Sequence, residues 1–417
     1  MSKHQPSSHA IQRSALRIAV LVDTSTMWGR DVIGGIQRYS REQGGWQLFV
    51  EPRGVEQRQR WLPNGWRGDG VIARVGFPEL ADQLENLRLP VVNVSGIELA
   101  GVDFPRVSAD QCAAATMAAQ HLLERGFRNF AYFSLVGIEY VTAHQKAFAK
   151  ALADAGCVCP IFEAPPNLGA EPDWNLDIKR LGTWLAAQPK PLAAFVWNTS
   201  SARELLYACA AAGLSMPLEV AVLSGSDDDL FCEVAPVPIS AVRLPASEIG
   251  YRAARELDIM IHDPDGAPPA NVLISPLGVA VRQSTDTLAV EDPAVVKALQ
   301  FIRSEATGPI TVEDVARHAG LSRRGLEQKF SASLAFTPAS EIRRIRVNRA
   351  IELLRLSNLP IGEIAGRAGF RSAEYMASAF RSQLGTTPSR YREDHFNVIT
   401  GGRSESFRPH QTGDTPG

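Results

Sequence analysis

Two stretches near the C-terminal end of the chain repeat the same pattern, and this repeat constrains the fold more than any other feature of the sequence. Each copy has apolar residues at positions i, i+3, i+4 and i+7, then a glycine, and then a run that ends in phenylalanine. The glycines are Gly320 and Gly369, and Phe330 and Phe380 follow them after ten and eleven residues. Because glycine allows a sharp turn, each copy predicts two helices joined by a tight connection.

The residues around both copies favour helix ends at matching places. Thr311 and Asp314 have the spacing of a capping box at the start of the first helix. Both copies close on Thr-Pro, at 337–338 and 387–388, which suits an N-cap and a first helical position. Residues 339–357 predict one long helix between the copies. The sequence therefore predicts an all-α domain with two helix-turn-helix units.

The charged residues divide unevenly along the chain. Residues 291–396 carry 16 Lys and Arg against 12 Asp and Glu, whereas residues 1–290 carry 25 against 31. The net charge is therefore +4 (16 − 12) in the first segment and −6 (25 − 31) in the second. This asymmetry indicates that only the C-terminal part binds a polyanion. A helical bundle used for packing or dimerisation is the alternative, and the matched repeat argues against it.

The second helix of a helix-turn-helix unit enters the major groove of DNA, where its polar face reads the bases. In the first copy Arg324 suits guanine, Gln328 suits adenine and Glu327 suits cytosine. In the second copy Glu374 and Ser378 offer fewer strong donors, so we expect the first helix to carry most of the sequence discrimination. Arg371, Arg381 and Arg390 are expected to bind phosphates. The full set of predicted DNA-binding residues is Ser322, Arg323, Arg324, Glu327, Gln328, Arg371, Ser372, Glu374, Ser378, Arg381 and Arg390.

The segment GEIAGRAGFRSAEYMASAFRSQLGTTPSRYR at 362–392 resembles the signature of AraC-type DNA-binding domains. The family usually has glycine, as at Gly385, where the first copy has Ala335. If that site requires a left-handed backbone, alanine costs about 1 kcal/mol. Gly325 in the first reading helix costs about as much relative to alanine. We therefore expect the first subdomain to be marginally stable and to become firmer on double-stranded operator DNA.

Residues 16–285 alternate short apolar runs with helical patterns. LRIAVLV at 16–22, DGVIARV at 69–75 and LAAFVWN at 192–198 are typical of buried strands, and AAATMAAQHLLERG at 113–126 is typical of a helix. Such alternation indicates parallel sheets covered by helices, and the length of the segment indicates two lobes. Ligands of these folds bind at the carboxyl ends of the strands, which places a site in the cleft between the lobes.

This part resembles the periplasmic-binding-protein-like sensor of LacI-type regulators, in LRIAVLVD at its start, in 106–134 and in AVLSGSDDDL at 221–230. With WGRDVIGGI at 28–36 and a sensor placed before an AraC-type domain, the order resembles that of XylR-like regulators. The resemblance implies an α/β two-lobed periplasmic-binding-protein-like domain and a DNA-binding regulator. A small ligand, a sugar, would control it through lobe rearrangement in a homodimer. The alternative is a ligand-independent DNA-binding regulator whose two-lobed domain serves dimerisation or protein interaction.

A sugar site needs an aromatic surface for the C–H face of the ring and planar polar groups for its hydroxyls. The resemblance places His144 where relatives carry Arg, Thr199 where they carry an acid, and Ser226, followed by Asp227, at the usual Asp. Because these polar positions differ, another sugar, a glycan fragment and a non-sugar ligand all remain open. The further candidates for ligand contacts at strand ends are Asp23, Trp28, Arg30, Asp110, Trp174, Trp197 and Asn198. For each Trp the alternative is that the ring packs in the core.

Other functional classes find no support in the sequence. Nucleophile, metal-ligand and phosphate-loop motifs are absent, so we expect no enzyme, no cofactor and no metal site. No apolar run approaches the ~18 residues of a membrane span. Five cysteines without metal-ligand spacing fit a reducing cytosol, so the predicted location is cytoplasmic. The predicted division is a flexible tail at 1–15, a two-lobed domain at 16–285, a linker at 286–293, an AraC-type domain at 294–396 and a disordered tail at 397–417.

Overall fold

The structure is a computed structural model that divides into two compact units, Met1–Ala289 and Val290–Gly417. The division falls inside the stretch 286–293 predicted as the linker. The predicted tails at 1–15 and 397–417 lie almost entirely outside the described residues, and Ala335 lies outside them as well. The structure describes residues 15–52, 62–63, 65–135, 139–164, 174–290, 292–334, 336–357 and 359–399.

The first unit alternates strands and helices, as the sequence pattern predicts, although the pattern does not predict the short strands β5, β7, β11 and β12. Its strands are β1 (Arg17–Leu21), β2 (Gln47–Val50), β3 (Gly70–Ala73), β4 (Val91–Asn93), β5 (Val107–Ala109), β6 (Asn129–Leu135), β7 (Ile161–Ala164), β8 (Leu192–Val196), β9 (Val220–Ser224), β10 (Ser240–Arg243), β11 (Val272–Ile274) and β12 (Gly278–Ala280). Its helices are α1 (Met27–Glu42), α2 (Pro78–Asn86), α3 (Gln111–Glu124), α4 (Glu139–Asp154), α5 (Trp174–Ala187), α6 (Thr199–Ala211), α7 (Asp229–Glu233) and α8 (Ala246–His262), and a 3₁₀ turn covers Gln283–Thr285.

Two sheets give this unit its two lobes. Within the described residues, one parallel sheet has the order β2-β1-β3-β4 and the other sheet has the order β12-β10-β9-β8-β6-β7, in which β12 is antiparallel to β10. Strand β5 pairs with β11 and is joined to the first sheet by a bridge between Asn93 and Arg106. The chain passes between the lobes at Asp110, at 244–245 and at 275–277.

Both faces of each sheet are covered, which explains why the strands are continuous apolar runs. In the first lobe Val20 and Ile72 belong to the core beneath α1 and α8, while Ala19 and Val71 belong to the core against α2. The second lobe has one core against α3 and α4 and another against α5 and α6. Polar residues that follow the strands therefore collect at the carboxyl edges of the two sheets.

The second unit is helical throughout its described residues. In it α12 is the predicted connector between the two helix-turn-helix units, α10–α11 and α13–α14. The helices are α9 (Pro293–Glu305), α10 (Val312–His318), α11 (Arg323–Ser333), α12 (Pro338–Leu356), α13 (Ile361–Arg367), α14 (Ala373–Leu384) and α15 (Pro388–Ile399).

The local predictions for this unit are confirmed. Thr311 forms a capping box with Asp314 at the start of α10. Gly320 and Gly369 have φ angles of 71° and 84°, in the left-handed region that favours glycine. The side chains of Phe330 and Phe380 are fully buried, so the opposite faces of α11 and α14 are turned to solvent.

Candidate nucleic-acid interface and ligand cleft

The first predicted DNA-reading helix, α11, carries two exposed polar side chains that are free to contact DNA. Ser322 caps the helix by accepting a hydrogen bond from the Gly325 N–H at 3.1 Å. Because Leu326 faces inward, Arg324 and Gln328 are exposed on the other side. Within the described part of the chain, neither side chain makes a hydrogen bond or an ion pair. Both are therefore available to the base edges of DNA.

Two other predicted DNA contacts on this helix are engaged with each other. The Arg323 guanidinium donates to Glu313 Oε1 at 2.5 Å through Nη1 and to Glu327 Oε1 at 2.9 Å through Nε. Lys329 on the same helix contacts Asp292, the N-cap residue of α9, and its ammonium lowers the pKa of that carboxyl group. A base contact by Glu327 would therefore require the pair with Arg323 to open.

The second reading helix, α14, is capped by Ser372, which accepts from the Tyr375 N–H at 3.3 Å. The Ser372 hydroxyl also lowers the pKa of Glu374. Tyr375 is 52% exposed and was not predicted, because an aromatic residue in a helical run is first read as core. The sequence signal that could have identified Tyr375 as exposed is its position next to Met376, whose side chain points inward. Ser378 is exposed. The three arginines predicted to bind phosphate are also exposed and make no ion pair within the described residues; they are Arg371, Arg381 and Arg390.

The connector helix uses its arginines inside the unit. Arg346 donates to the carbonyl oxygen of Ala306 at 2.6 Å and to that of Gly308 at 2.9 Å. Arg344 donates to both carboxylate oxygens of the buried Glu341, at 2.7 and 2.8 Å. These bonds fix the connector against its neighbours.

In the first lobe, a buried carboxylate stands where β1 ends. Asp23 is only 4% exposed, and its Oδ1 accepts from the N–H and the hydroxyl of Ser25 at 2.9 and 2.7 Å. Its Oδ2 is buried and has no hydrogen-bond partner within the described residues. Arg30 is exposed and donates to the carbonyl oxygens of Thr24 and Ser25 at 3.0 and 2.9 Å, so it braces this turn.

An arginine that the sequence analysis missed follows the neighbouring strand. Arg74 comes directly after β3, and its guanidinium lies over the ring of Trp28 at 5.6 Å from the ring centroid. The register of Leu21 with Ala73 places Arg74 next to the end of β1. Its position at the carboxyl end of a strand was the available signal.

In the second lobe, His144 lies beneath the ends of β8 and β9. The ring is 2% exposed, and its Nδ1 lies 2.7 Å from the Tyr132 hydroxyl. Its Nε2 is buried and lacks a hydrogen-bond partner in the described part of the chain, and a Cβ at Gly225 would lie 3.1 Å from that atom. Burial lowers the pKa of His144 to about 3, so the imidazole is neutral. Trp197 follows β8, and its carbonyl oxygen also lies beside Gly225.

The remaining candidates hold the loops at the carboxyl edge of the second lobe. Asp110 caps α3 through the Ala113 N–H at 2.8 Å, and Asn198 caps α6 in the same way. The Thr199 hydroxyl donates to the Ser226 carbonyl oxygen at 2.8 Å, so these two predicted positions are in contact. Asp227 is paired with Arg282 at 3.0 Å. Trp174 begins α5, and its side chain lies outside the described residues.

The two lobes meet at the loop that contains Asp228. Its Oδ2 accepts from the Met27 N–H at 3.2 Å, and the Asp229 N–H lies 3.3 Å from Met27 Sδ. Burial raises the pKa of Asp31; Arg30 opposes the rise, and Asp229 and Asp228 add to it. The start of α1 in the first lobe is therefore in contact with the loop before α7 in the second.

The same loop is tied to the C-terminal end of the first unit. Arg282 pairs with Asp227, with Asp229 at 2.6 Å and with Glu233 at 3.0 Å, and it donates to the Ile239 carbonyl oxygen. In the 3₁₀ turn that follows, Ser284 and Thr285 are buried, and their side chains bond to Val222, Ser240 and His121. The loop at the lobe contact and the chain leaving the sensor thus share one charged cluster.

The buried histidines predict a pH dependence of stability. Burial, followed by the charge of Arg125, lowers the pKa of His121 to about 4, and burial lowers that of His144 to about 3. Below the unfolded value of about 6.5 the unfolded chain therefore binds protons that the folded chain does not, and stability falls as pH falls. We expect the free energy of unfolding of the first unit to drop by roughly 1 kcal/mol between pH 7 and pH 6. Urea unfolding followed by tryptophan fluorescence measures this drop.

Matched variants test the origin of this dependence. His144→Gln should reduce the drop by about half, whereas His318→Gln, an exposed residue of the second unit, should leave it unchanged. An unchanged drop in His144→Gln would contradict the assignment.

Comparison with known proteins extends over both units. Residues 17–113 match the XylR N-terminal domain, residues 119–285 match the periplasmic binding protein-like domain, and residues 315–394 match a helix-turn-helix domain. The chain is 28% identical to the xylose operon regulatory protein of Escherichia coli (strain K12), over 92% of this chain and 98% of that protein. It is also 28% identical to the protein of the same name from Haemophilus influenzae, over 90% of this chain and 98% of that protein.

Solved structures agree. The structure of a xylose-binding transcription activator XylR covers 92% of this chain and 99% of that chain, with 28% identity and a TM-score of 0.74. The transcription regulator CcpA of Lactococcus lactis, at 18% identity and a TM-score of 0.51, covers 65% of this chain and all of its own and shares the fold. A two-lobed sensor-type unit followed by an AraC-type helical unit defines a DNA-binding transcription regulator. Over both units the chain is similar to the XylR-like regulators.

Neither a metal-binding cluster nor a membrane-spanning helix is found in the described part of the chain. No group of three or more His, Cys, Asp and Glu there could hold a metal ion. No helix among the described residues is long and apolar enough to cross a membrane. All five cysteines are free thiols.

Proposed function

We propose that a sugar binds in the cleft of the first unit and changes the affinity of the second unit for operator DNA. The observation that carries this proposal is a pair of buried polar atoms without partners, Asp23 Oδ2 and His144 Nε2. They lie at the carboxyl edges of the two sheets, where ligands of such folds bind. Leaving a buried polar atom unpaired costs free energy, and ligand hydroxyl groups would remove that cost.

The lobe contact supports the mechanism by which the ligand would act. A ligand that draws the lobes together or apart changes the contact of Met27 with Asp228. The neighbouring residues Asp227 and Asp229 hold Arg282, just before the chain leaves the first unit. The ligand would thereby shift the population between two lobe arrangements and alter the position of the exit segment.

On the DNA side, we infer that Arg324 and Gln328 read bases and that Arg371, Arg381 and Arg390 bind phosphates. These side chains are exposed and make no ion pair within the described residues, which supports the assignment. We further infer that the protein acts in the cytosol as a homodimer on an operator with two half-sites, because dimers of helix-turn-helix proteins bind DNA in this way.

A sugar panel tests the proposal on the full chain. A sugar present at ten times its Kd should stabilise the first unit by about 1.4 kcal/mol, since it binds the folded chain only. The same sugar should change the affinity for an operator selected from random DNA. Thermal melting and fluorescence anisotropy measure the two effects.

The alternative function, a ligand-independent regulator, gives a different result in the same experiment. Operator binding would persist while pentoses, hexoses and their derivatives changed neither melting nor affinity. That outcome would remove the sugar-sensing part of the proposal and leave the DNA-binding part standing.

A further inference from the structure

Arg74 is a cation at the ligand cleft that has no hydrogen-bond or ion-pair partner for its side chain among the described residues. It follows β3 at the carboxyl edge of the first sheet, and its backbone N–H donates to the Leu21 carbonyl oxygen at 2.9 Å. Side chains alternate along a strand, so Arg74 lies on the same face as Ile72, the face covered by α1. Its guanidinium reaches Trp28, one residue after the lobe contact at Met27.

The guanidinium of Arg74 is partly buried, yet within the described residues it makes no hydrogen bond and no ion pair. Nearby arginines behave differently: Arg30 donates to backbone carbonyl oxygens and Arg106 pairs with Glu98 at 2.7 Å. A cation–π contact with an aromatic ring uses none of the guanidinium N–H groups as hydrogen-bond donors, so they remain free to donate. Those N–H groups match the two oxygens of a carboxylate.

The surrounding groups suit the hydroxyl groups of a ligand that carries such an anion. Asp23 follows the adjacent strand, and its unpartnered Oδ2 can accept a hydrogen bond from a hydroxyl group. No ion pair joins it to Arg74, so neither charge is neutralised by the other. His144 on the opposite lobe is neutral and offers a single ring nitrogen. The cleft therefore combines one unpaired cation with groups suited to hydroxyls.

We propose that the ligand is a sugar acid, a uronic or aldonic acid, whose carboxylate binds the guanidinium of Arg74 while its hydroxyl groups reach Asp23 and His144. This inference rests on the proposed sugar-sensing function and narrows its ligand class. A sugar phosphate shares the anionic chemistry, but its larger charge would lie beside the Asp23 carboxylate, and like charges repel. A carboxylate, with a single charge and a planar pair of oxygens, fits the guanidinium better.

Isothermal titration calorimetry on the full chain tests the inference with three matched probes: a neutral sugar, its sugar acid and its sugar phosphate, such as galactose, galacturonate and galactose 6-phosphate. A second set would use xylose and xylonate. We expect at least one acid to bind tenfold or more tightly than its neutral counterpart. Arg74→Met should weaken binding of the acid at least tenfold and leave that of the neutral sugar within twofold.

Two further variants sharpen the test. Arg74→Lys keeps the charge but loses the planar fork, so the preference for the acid should shrink without vanishing. Arg38→Met is the control, because Arg38 also stacks on an aromatic ring, that of Tyr251 at 4.7 Å, but lies in the last turns of α1. It removes the same charge and should leave binding of the acid unchanged.

Each remaining outcome overturns the inference. If neutral sugars bind as tightly as their acids, or if Arg74→Met leaves binding of the acid unchanged, the sugar-acid assignment falls while the sugar-sensing function stands. If the phosphate binds more tightly than the acid, the carboxylate assignment falls. If no probe binds to protein that still binds its operator, both this inference and the sugar-sensing function fall.

Discussion

Replacing Arg324 by alanine is expected to abolish base discrimination at one position of the operator. Arg324 is exposed on α11 and bonded to nothing within the described residues, so it is free to form two hydrogen bonds to guanine. Losing a pair of such bonds costs about 1–3 kcal/mol, or roughly fivefold to 150-fold in affinity for the preferred sequence. Competition binding with every single-base variant of a selected operator measures the effect.

Arg371→Ala is the control for this substitution. Arg371 is predicted to bind phosphate, so its loss should weaken all sequences alike and reduce the slope of log affinity against log salt by about 1. The assignment of Arg324 fails if Arg324→Ala weakens specific and random DNA by the same factor.

Substituting Gly369 by alanine is expected to destabilise the second unit by about 2–4 kcal/mol. Part of this cost, about 1 kcal/mol, is the left-handed backbone at φ 84°. The rest arises because a Cβ would lie 2.7 Å from the Ala306 carbonyl oxygen and 2.8 Å from Thr307, both backbone contacts that must move. Hydrogen exchange of the α13 and α14 amides in the full chain measures the loss of protection.

The first copy of the repeat supplies the matched control. Gly320 has φ 71°, but a Cβ there would meet nothing within 4 Å. Gly320→Ala should therefore cost only the conformational part, about 1 kcal/mol. If Gly320→Ala and Gly369→Ala lowered the stability of the second unit equally, the close packing at Gly369 would contribute nothing to the free energy of unfolding.

The helical unit could be predicted from the sequence in detail because its signals are local. Thr311 with Asp314, Gly320 and the inward Phe330 lie within twenty residues of one another, and each has a position-specific physical role. The two-lobed fold could also be predicted, since buried parallel strands leave continuous apolar runs. Pairing of β5 with β11 could not, because strands of three residues so far apart in sequence carry no periodicity.

The ligand cleft was harder to predict for a different reason. A polar residue after a strand can cap the next helix or face a ligand, and sequence alone does not separate the two roles. Asp110 and Asn198 are caps, whereas Asp23 has an unpartnered oxygen. Arg282 depends on contacts between distant segments and has no local pattern, and the only local signal for Arg74 was its position after a strand.

The charged cluster around Arg282 has a consequence for how such a regulator can be altered. Arg282 joins the final turn of the first unit to the loop that contacts Met27, and the chain leaves this unit only a few residues after Thr285. Under the proposed mechanism, a flexible insertion after residue 286 is expected to preserve ligand binding and DNA binding while removing the effect of the ligand on operator affinity. Shortening the same stretch is expected to strengthen that effect without altering either binding surface.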